Sequence, residues 1–243
     1  MKTITVYHGS DRILEEPVHT HGAYHDFGAG FYVTPSRDLS HEWACRAAKD
    51  GIINSYSLHI DDLQVLDFTA QDHTLLEWAA TVLKHRTDEA YVPAAEARKQ
   101  YLMDNFAVDI SSYDLIYAWR ADNSCFGFIQ AFLSSTLSLE RFIKVMQGSN
   151  TGTELVLKTE KAVKALTFKG IEPAACAQYW QTSDGKQRFV LPNEDKANRL
   201  MFQLCEDTIP AMRKQTYIID MLREGMKHDD ARLSRVLYAG GKG

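Results

Sequence analysis

The sequence has few cysteines and no long apolar run. The four cysteines are scattered and none belongs to a CxxC pair; they are Cys45, Cys125, Cys176 and Cys205. We therefore expect neither a disulfide framework nor a cysteine-rich zinc site, and a reducing cytosol fits best. No stretch approaches the ~20 apolar residues that cross a bilayer, and the start has no signal-peptide apolar run. We expect no membrane partner and a cytoplasmic protein, or one delivered into the cytosol of a target cell.

Positive charge is not in excess either. Lys and Arg number 27 against 32 Asp and Glu, which gives a formal net charge of −5. This balance argues against a broad basic surface for nucleic acid but leaves room for a small local patch. With 45% hydrophobic and 24% charged residues over 243 positions, the composition is typical of one large globular domain, with or without an extension.

The most informative stretch is DFGAGFYVTPSRDLSHEW, residues 26–43. Gly28 and Gly30 predict a turn where the backbone lies close to a ligand, and FYVT predicts a short strand from Phe31 to Thr34. Pro35 ends that strand. Three polar residues are then candidate caps for a helix that reaches Lys49: Ser36, Asp38 and Ser40.

Strand and helix periods bring polar and aromatic side chains of this stretch together. If Phe31 and Val33 face the core, Tyr32 faces the other way, beside the glycine turn. Ser40 and Trp43 lie three residues apart and so share one face of the helix. The pattern indicates a cleft lined by a tyrosine, a serine and a tryptophan.

Two further strands carry polar residues at their ends. Lys2–Tyr7 alternates as a strand and runs into YHGS, which ends at Ser10; this is either a ligand-facing strand end or a capped terminus. Glu154 begins an apolar strand, Thr153–Leu157, after a glycine-rich loop. Its carboxylate lies either at an exposed sheet edge or in a cleft.

The remaining chain predicts alternating helices and strands. Predicted helices are Leu75–Arg86, Ala94–Asn105, Cys125–Leu133, Ser138–Met146 and Glu160–Leu166, and predicted strands lie within Ser55–Phe68, Tyr113–Trp119 and Thr167–Lys169. Asp184-Gly185 predicts a hairpin over Gln178–Leu191. From Asn193 the chain reads as helical, broken at Pro210 and near Gly225; it either packs on the main domain, which we prefer, or binds a partner.

Three histidines in the loop over residues 11–25 raise the alternative of a metal site. His19, His21 and His25 form an HxHxxxH pattern, and imidazole is a good ligand for zinc, copper or iron. No acidic or cysteine ligand accompanies them in a recognisable pattern. We therefore expect a solvated loop and no metal, and keep a metal-dependent hydrolase as an alternative.

Taken together, YHGS, FGAGFYVTPSRDLSHEW and the strand that begins with Glu154 resemble the three signature regions of ADP-ribosyltransferases. The resemblance is to the His-Tyr-Glu branch, which includes diphtheria toxin and the poly-ADP-ribose polymerases, and is closest to a largely uncharacterised, mostly bacterial, toxin-like branch. It runs in order over residues 4–172, including YDLIYAWRAD and TEKAVKALTF. It implies an α+β fold: a split sandwich of two small, mostly antiparallel sheets with surrounding helices and NAD between them.

The resemblance also implies roles for individual residues. Glu154 would be the catalytic carboxylate, Tyr32 would stack on nicotinamide with Trp43 as a second aromatic wall, and His8 would bind a ribose hydroxyl. The other residues implied in NAD binding are Gly9 and Ser40 for the carboxamide, Ser10 and Arg12 for ribose or phosphate, and Gly30 and Phe31 beside Tyr32.

The implied activity is mono-ADP-ribosyl transfer from NAD to a macromolecule, with nicotinamide released. Gly152 stands where arginine-specific toxins have the first glutamate of Glu-x-Glu, so arginine is a less favoured acceptor. Partners would be NAD, a protein or nucleic-acid acceptor, and a cognate antitoxin or immunity protein if the chain is a toxin. The alternatives are an NAD or ADP-ribose-binding domain without turnover and an NAD glycohydrolase. The predicted domains are a catalytic domain, 1–172, and a hairpin plus helical extension, 173–243.

Overall fold

A computed structural model of the chain describes residues 2–17, 25–45, 49–86, 93–121, 123–148, 152–178, 180–183, 186–189 and 215–238. The fold is α+β, with two small, mostly antiparallel sheets and helices around them, which confirms the predicted fold class. Within those ranges, no helix combines the length and the apolar character needed to cross a membrane.

The first sheet has three antiparallel strands in the order β1-β3-β7: β1 is Thr3–Ser10, β3 is Gly51–His59 and β7 is Leu166–Ala174. His8 lies opposite Asn54, and a bulge interrupts the β3–β7 register at Ser55 and Tyr56. β1 is longer than predicted and runs through Ser10. β7 likewise continues past position 172, where we placed the domain boundary, and that boundary stays a prediction.

The second sheet has the order β2-β6-β5-β4, with β2 at Phe31–Val33, β6 at Thr153–Leu157, β5 at Leu115–Trp119 and β4 at Val65–Asp67. Only the β4–β5 pair of this sheet is parallel. Backbone hydrogen bonds between Tyr7 and Thr34, 2.8 and 2.9 Å, join the two sheets at the ends of β1 and β2.

Two apolar layers cover the faces of the second sheet. Leu155 and Leu157 of β6 pack with Phe31, Val33 and side chains of the first sheet in a core between the sheets. Because strand side chains alternate, Val156 faces the opposite side. There it joins the larger core formed with the helices, which includes Trp78, Phe128, Phe132 and Phe142.

The helices lie close to the predicted positions. They are α1 (Arg37–Ala44), α2 (Leu75–His85), α3 (Pro93–Phe106), α4 (Asn123–Leu133), α5 (Leu139–Gly148), α6 (Glu160–Lys164), α7 (Ile218–Glu224) and α8 (Ala231–Leu237), with a 3₁₀ turn at Cys176–Gln178. Ser36 caps α1 by accepting the Leu39 N–H, and Thr74 and Glu77 form a capping box on α2. α1 is shorter than predicted and ends at Ala44.

The C-terminal part contributes to the same core. The predicted hairpin forms as β8 (Trp180–Ser183) and β9 (Lys186–Phe189). Residues 190–214 lie outside the described residues, and with them the first part of the stretch predicted as helical from Asn193. Ile218, Met221 and Leu233 of α7 and α8 are fully buried in the helical core. Gly225 caps the C-terminal end of α7. Its φ of +61° is the left-handed conformation, which glycine adopts without a steric penalty because it has no Cβ.

One disulfide corrects the sequence prediction. Cys45, directly after α1, is bonded to Cys176, 131 residues later, with 5.3 Å between the Cα atoms. The β3–β7 register, which sets Gly51 opposite Ala174, brings these distant segments together. Because this is a long-range contact, cysteine spacing carried no signal for it. Cys125 is buried and is not part of a disulfide among the described residues, and Cys205 lies outside the described residues.

Gly9 is where helix α1 packs closest against β1, and this contact generates a stability prediction. A Cβ added to Gly9 would lie 1.9 Å from the Ser40 carbonyl oxygen and 2.5 Å from the Ala44 nitrogen, both backbone atoms. We expect Gly9→Ala to lower the free energy of unfolding by about 1–3 kcal/mol, since the helix must shift. Urea denaturation measures the change.

The matched control is Gly127→Ala in α4, where an added Cβ meets nothing within 4 Å. Alanine is the better helix former, so this variant should be neutral or up to about 1 kcal/mol more stable. Equal destabilisation by the two substitutions would contradict the close packing of α1 on Gly9.

Candidate active site

A cavity of about 240 Å³ opens where β1 ends beside β2. It is lined by His8, Ser10, Asp11, Arg12, Leu14, His25, Phe31 and Tyr32. Five of these were predicted as site residues from the sequence: His8, Ser10, Arg12, Phe31 and Tyr32. The structure therefore places most of the side chains that were predicted to bind NAD around one cavity. They come from two segments that are distant in the sequence, residues 8–12 and 31–32.

The loop after β1 is held in place by a buried asparagine. The Asn54 amide donates to the Ser10 hydroxyl at 3.0 Å and to the Arg12 carbonyl at 3.2 Å, and its oxygen accepts the Leu14 N–H at 2.8 Å. Asn54 is fully buried opposite His8. No local sequence pattern marked it, although it fixes the backbone that carries Arg12.

His8 has a defined tautomer in its neutral form. Its Nδ1 lies 2.7 Å from the Tyr32 carbonyl oxygen, and because a carbonyl only accepts, Nδ1 carries the hydrogen. Nε2 is then an acceptor. The ring lies 4.7 Å from that of Phe31 and 6.1 Å from that of Trp43, centroid to centroid.

Tyr32 is fixed by the glycine turn that precedes it. Its hydroxyl donates to the Gly28 carbonyl at 2.8 Å and accepts the Phe27 N–H at 3.1 Å, and its ring lies 4.7 Å from that of His25. Burial, and then the charge of Glu154, raise the pKa of the phenol far above its usual range. The phenol is therefore protonated at any physiological pH.

Lys158, which directly follows β6, is hydrogen-bonded to the same turn. Its ammonium donates to the Phe27 carbonyl at 2.8 Å and the Ala29 carbonyl at 2.5 Å. Burial lowers the pKa of Lys158. Gly28 has a φ of +73°, which a side-chain-bearing residue rarely adopts, so the predicted glycine turn is required at this position.

Glu154 is buried beside Tyr32. Glu154 is 3% exposed. Side chains two residues apart on a strand point to the same face, so Glu154 lies on the face of Val156, and Val156 pairs with Tyr32. The exposed-edge alternative for this carboxylate is thus wrong. Glu154 is not among the residues that line the cavity, but its charge acts on the Tyr32 phenol, so the carboxyl group lies near that side chain.

The other predicted site residues surround the cavity without lining it. Gly9 packs on α1, and the Ser40 hydroxyl is buried and donates to the Arg37 carbonyl at 2.6 Å. Gly30 lies so close to β6 that a Cβ would be 2.6 Å from Val156. Trp43 is partly buried, and its ring lies 6.1 Å from that of His8.

Asp26 is a site residue to which the sequence assigned no role. Its carboxylate accepts the Ala121 N–H at 2.9 Å, and the Arg86 guanidinium lies 3.5 Å away. The charges of Asp26 and Glu154 both act on the Tyr32 phenol, so the two carboxyl groups lie near each other. Burial raises the pKa of Asp26 from 3.8 to about 6, against the opposing effects of Arg86, the Ala121 N–H and Arg120.

Two arginines anchor this region and were also missed. Arg86 follows α2, donates to the Ala121 carbonyl at 2.7 Å and lies 4.3 Å above the Phe126 ring. Arg120 follows β5 and makes a bidentate ion pair with Glu42 of α1, at 2.5 and 2.6 Å. Arg120 and Glu42 are 78 residues apart in the sequence, and Arg86 and Ala121 are 35 apart. Both contacts therefore form only when the chain is folded.

The metal alternative falls mainly on undescribed residues. His19 and His21 lie outside the described residues, and His25 lines the cavity beside Tyr32. In the part of the chain that is described, no three His, Cys, Asp or Glu side chains are grouped as metal ligands.

Fold and site together define an α+β protein with a small cavity lined by polar and aromatic side chains and two buried carboxyl groups near Tyr32. The chain belongs to a family described as a protein of unknown function, DUF3990, whose model matches residues 4–168. The match begins in β1 and ends in β7, and so includes both sheets. No curated protein and no solved structure matches the chain significantly.

The raised pKa of Asp26 predicts a pH-dependent stability. The folded protein keeps a proton on Asp26 that the unfolded chain has lost, so stability falls as pH rises from about 4 to about 6 and stays lower above it. The loss is on the order of 3 kcal/mol. We expect Asp26→Asn, which carries no charge, to be more stable than wild type at pH 8 by up to about this amount and similar at pH 4.

Urea denaturation across pH 4–8 measures this difference. Asp104→Asn is the matched control, because Asp104 is an exposed residue of α3 whose carboxylate accepts from Gln100. Its stability should run parallel to that of wild type. If the Asp26→Asn curve also ran parallel to wild type, Asp26 would not bind its proton more tightly in the fold.

Proposed function

We propose that the protein is an NAD-dependent mono-ADP-ribosyltransferase that moves ADP-ribose from NAD to a macromolecular acceptor and releases nicotinamide. The observation that carries the proposal is the shared cavity of His8, Arg12 and Tyr32, with Glu154 buried on the same sheet face as Tyr32. Of these residues, His8, Tyr32 and Glu154 come from the three segments that resemble the signature regions of the His-Tyr-Glu branch.

The cavity suits the nicotinamide riboside end of NAD. About 240 Å³ is below the ~300–1,000 Å³ of pockets that enclose drug-sized ligands, so the adenosine end would lie outside it. A flat nicotinamide ring stacks on an aromatic face such as Tyr32, and aromatic pairs contribute about 0.5–1.5 kcal/mol beyond area burial. The resemblance assigns the carboxamide, which has donors and an acceptor, to the backbone of Gly9, although Gly9 packs on α1 and does not line this cavity.

Polar groups at the rim fit the ribose and diphosphate. The Nε2 atom of His8 is an acceptor in the neutral ring, as a ribose hydroxyl requires. Arg12 lies at the cavity wall on the loop held by Asn54. A guanidinium binds phosphate oxygens with charge-assisted hydrogen bonds, so Arg12 is suited to the diphosphate.

In the proposed reaction, the bond between C1′ of the ribose and the nicotinamide nitrogen breaks, and its electron pair leaves with nicotinamide. Positive charge develops on the ribose, as in glycoside hydrolysis. The negative charge of Glu154 stabilises that cation. The acceptor then bonds to C1′ and loses a proton. Since Glu154 is 3% exposed, the proposal requires that NAD binding open the contact between Tyr32 and its turn.

Gly152 is the one residue in the sequence that bears on which acceptor the enzyme would modify. Gly152 has a φ of +77° directly before β6, and no carboxylate stands two residues before Glu154. This supports an acceptor other than arginine. A toxin or effector role, with a cognate antitoxin or immunity protein, belongs to the same proposal and follows from the resemblance alone.

Substitution of Glu154 tests the catalytic role. Glu154→Gln keeps the shape and removes the charge, so we expect nicotinamide release from NAD to fall roughly a hundred- to a thousandfold, equivalent to ~2.7–4 kcal/mol. Glu160→Gln is the control, because that side chain is 84% exposed on α6. Near-native turnover in Glu154→Gln, with folding intact, would reject the assignment.

Labelled NAD separates transfer from the two alternatives. With cell lysate, a transferase attaches the ADP-ribose label to a macromolecule, and the label is absent with Glu154→Gln. Free ADP-ribose with and without lysate would instead identify an NAD glycohydrolase. Saturable NAD binding without nicotinamide release under either condition would identify a binding domain.

A further inference from the structure

A second cavity adjoins the turn that precedes β2. Its volume is about 250 Å³, and it shares no lining residue with the cavity of His8 and Tyr32. Its walls are the end of α2, the loop that follows α3 and the residues that follow β6. The charged and ring side chains among its lining residues are those of Lys84, His85, Asp109, Tyr113 and Lys158.

Two nitrogen atoms of these walls lie close to each other. His85 Nδ1 is 3.4 Å, and Lys158 Nζ 4.0 Å, from the one position that a Cβ on Gly28 would occupy. Lys84 directly precedes His85 in the last turn of α2 and lines the same cavity. Two ammonium groups and one imidazole therefore border a space that holds a small ligand.

These side chains have donors that the described structure does not use. Lys158 donates to the carbonyls of Phe27 and Ala29, and an ammonium has three N–H groups, so one remains. Within the described ranges, the side chains of Lys84, His85 and Tyr113 have no hydrogen-bond partner. The cavity thus suits a ligand with several acceptor atoms.

The cavity walls are fixed by contacts of their own. In the loop that follows α3, the Val108 N–H donates to the buried Thr81 hydroxyl at 3.0 Å, and Ile110 is buried in the helical core. On the opposite wall, Thr159 accepts the Ala162 N–H and so caps α6. Because the walls are already ordered, a ligand that enters has little ordering cost to offset.

Positive charge predominates around the cavity. Lys84 and Lys158 carry one positive charge each. The acidic residue among the described lining residues is Asp109, an exposed side chain that accepts the Ser111 N–H at 2.9 Å. Burial, and then the charges of Lys158 and Lys84, lower the pKa of His85. An anion in the cavity would act in the opposite direction and favour protonated His85.

We propose that this cavity binds a phosphate group, either as inorganic phosphate or as a small phosphate monoester. A phosphate presents three or more acceptor oxygens where a carboxylate has two, and a monoester carries about −1.5 to −2 charge at pH 7. The ammonium groups of Lys84 and Lys158 donate charge-assisted hydrogen bonds to such oxygens, and Tyr113 supplies a neutral donor. The site goes beyond the proposed transferase reaction and is occupied without NAD.

Titration of the full chain with inorganic phosphate tests the site. The Cε1–H signal of His85 is followed by NMR at constant ionic strength, with chloride as the anion that phosphate replaces, and His85→Gln identifies that signal. We expect a saturable shift with a dissociation constant of about 1 mM or lower. Saturating sulfate, which stays a dianion throughout, should raise the pKa of His85 measured in this way by at least about half a unit.

Three variants separate a built site from general attraction to charge. Lys84→Gln removes an exposed charge from the wall and should weaken phosphate binding about three- to tenfold. Asp109→Asn removes the opposing charge but keeps an oxygen for the Ser111 N–H, so it should tighten binding by a similar factor. Lys144→Gln is the matched control, because Lys144 is exposed on α5 and does not line the cavity. It should leave the affinity unchanged.

Two results would overturn the proposal. One is a His85 signal that responds to phosphate no more than to chloride at the same ionic strength. The other is equal weakening by Lys84→Gln and Lys144→Gln, since binding would then follow net charge alone. Circular dichroism checks that each variant is folded.

Glycerol 3-phosphate, titrated in the same way, distinguishes the two sources of the phosphate group. Tighter binding than that of inorganic phosphate indicates a monoester, and weaker binding indicates the free ion. None of these measurements involves NAD or turnover, so failure of this site and failure of the proposed transferase function are separate results.

Discussion

The site depends on how the turn before β2 is held. Lys158 donates to the carbonyls of Phe27 and Ala29, and the Tyr32 hydroxyl is bonded to the same turn at Phe27 and Gly28. The carbonyl groups of a turn that lies inside the protein need such partners, since an unsatisfied buried polar group costs about 1–3 kcal/mol. Because the turn carries Asp26 at its start and leads into Tyr32, this one set of hydrogen bonds fixes both side chains.

Strand β6 connects that turn to the catalytic candidate. It holds Glu154 near its start, and Lys158 follows its end, while Leu155 and Leu157 between them are buried in the core between the sheets. A shift of one residue in register would move the two leucines to the helix-covered face of the sheet and would move Glu154 into the core between the sheets. The apolar packing of two leucines therefore determines on which face the carboxylate lies, and the same face receives Tyr32 from β2.

Local patterns in the sequence predicted the elements that local interactions build. The glycine turn, the strand at Phe31, the Ser36 cap of α1 and the position of Glu154 at the start of an apolar strand all follow from neighbouring residues. Asp26, Asn54 and the Cys45–Cys176 bond do not, because their partners are 40 to 131 residues away. Nothing near Asp26 in the chain indicates that β6 will place a second carboxyl group near it; the two groups come together only once both strands are paired.

The buried carboxyl group of Asp26 is difficult to explain as a contribution to stability. Burial disfavours the charge of Asp26 despite Arg86 and the Ala121 N–H, as its raised pKa shows, so an uncharged side chain of the same shape would fold at least as well near neutral pH. The buried ion pair of Arg120 and Glu42 differs, since each charge there has its counterpart and the pair links α1 to the end of β5. Groups with strongly shifted pKa values are concentrated at functional sites. A buried carboxyl group that costs stability near Glu154 is therefore consistent with the proposed chemistry at Glu154 and is not explained by folding alone.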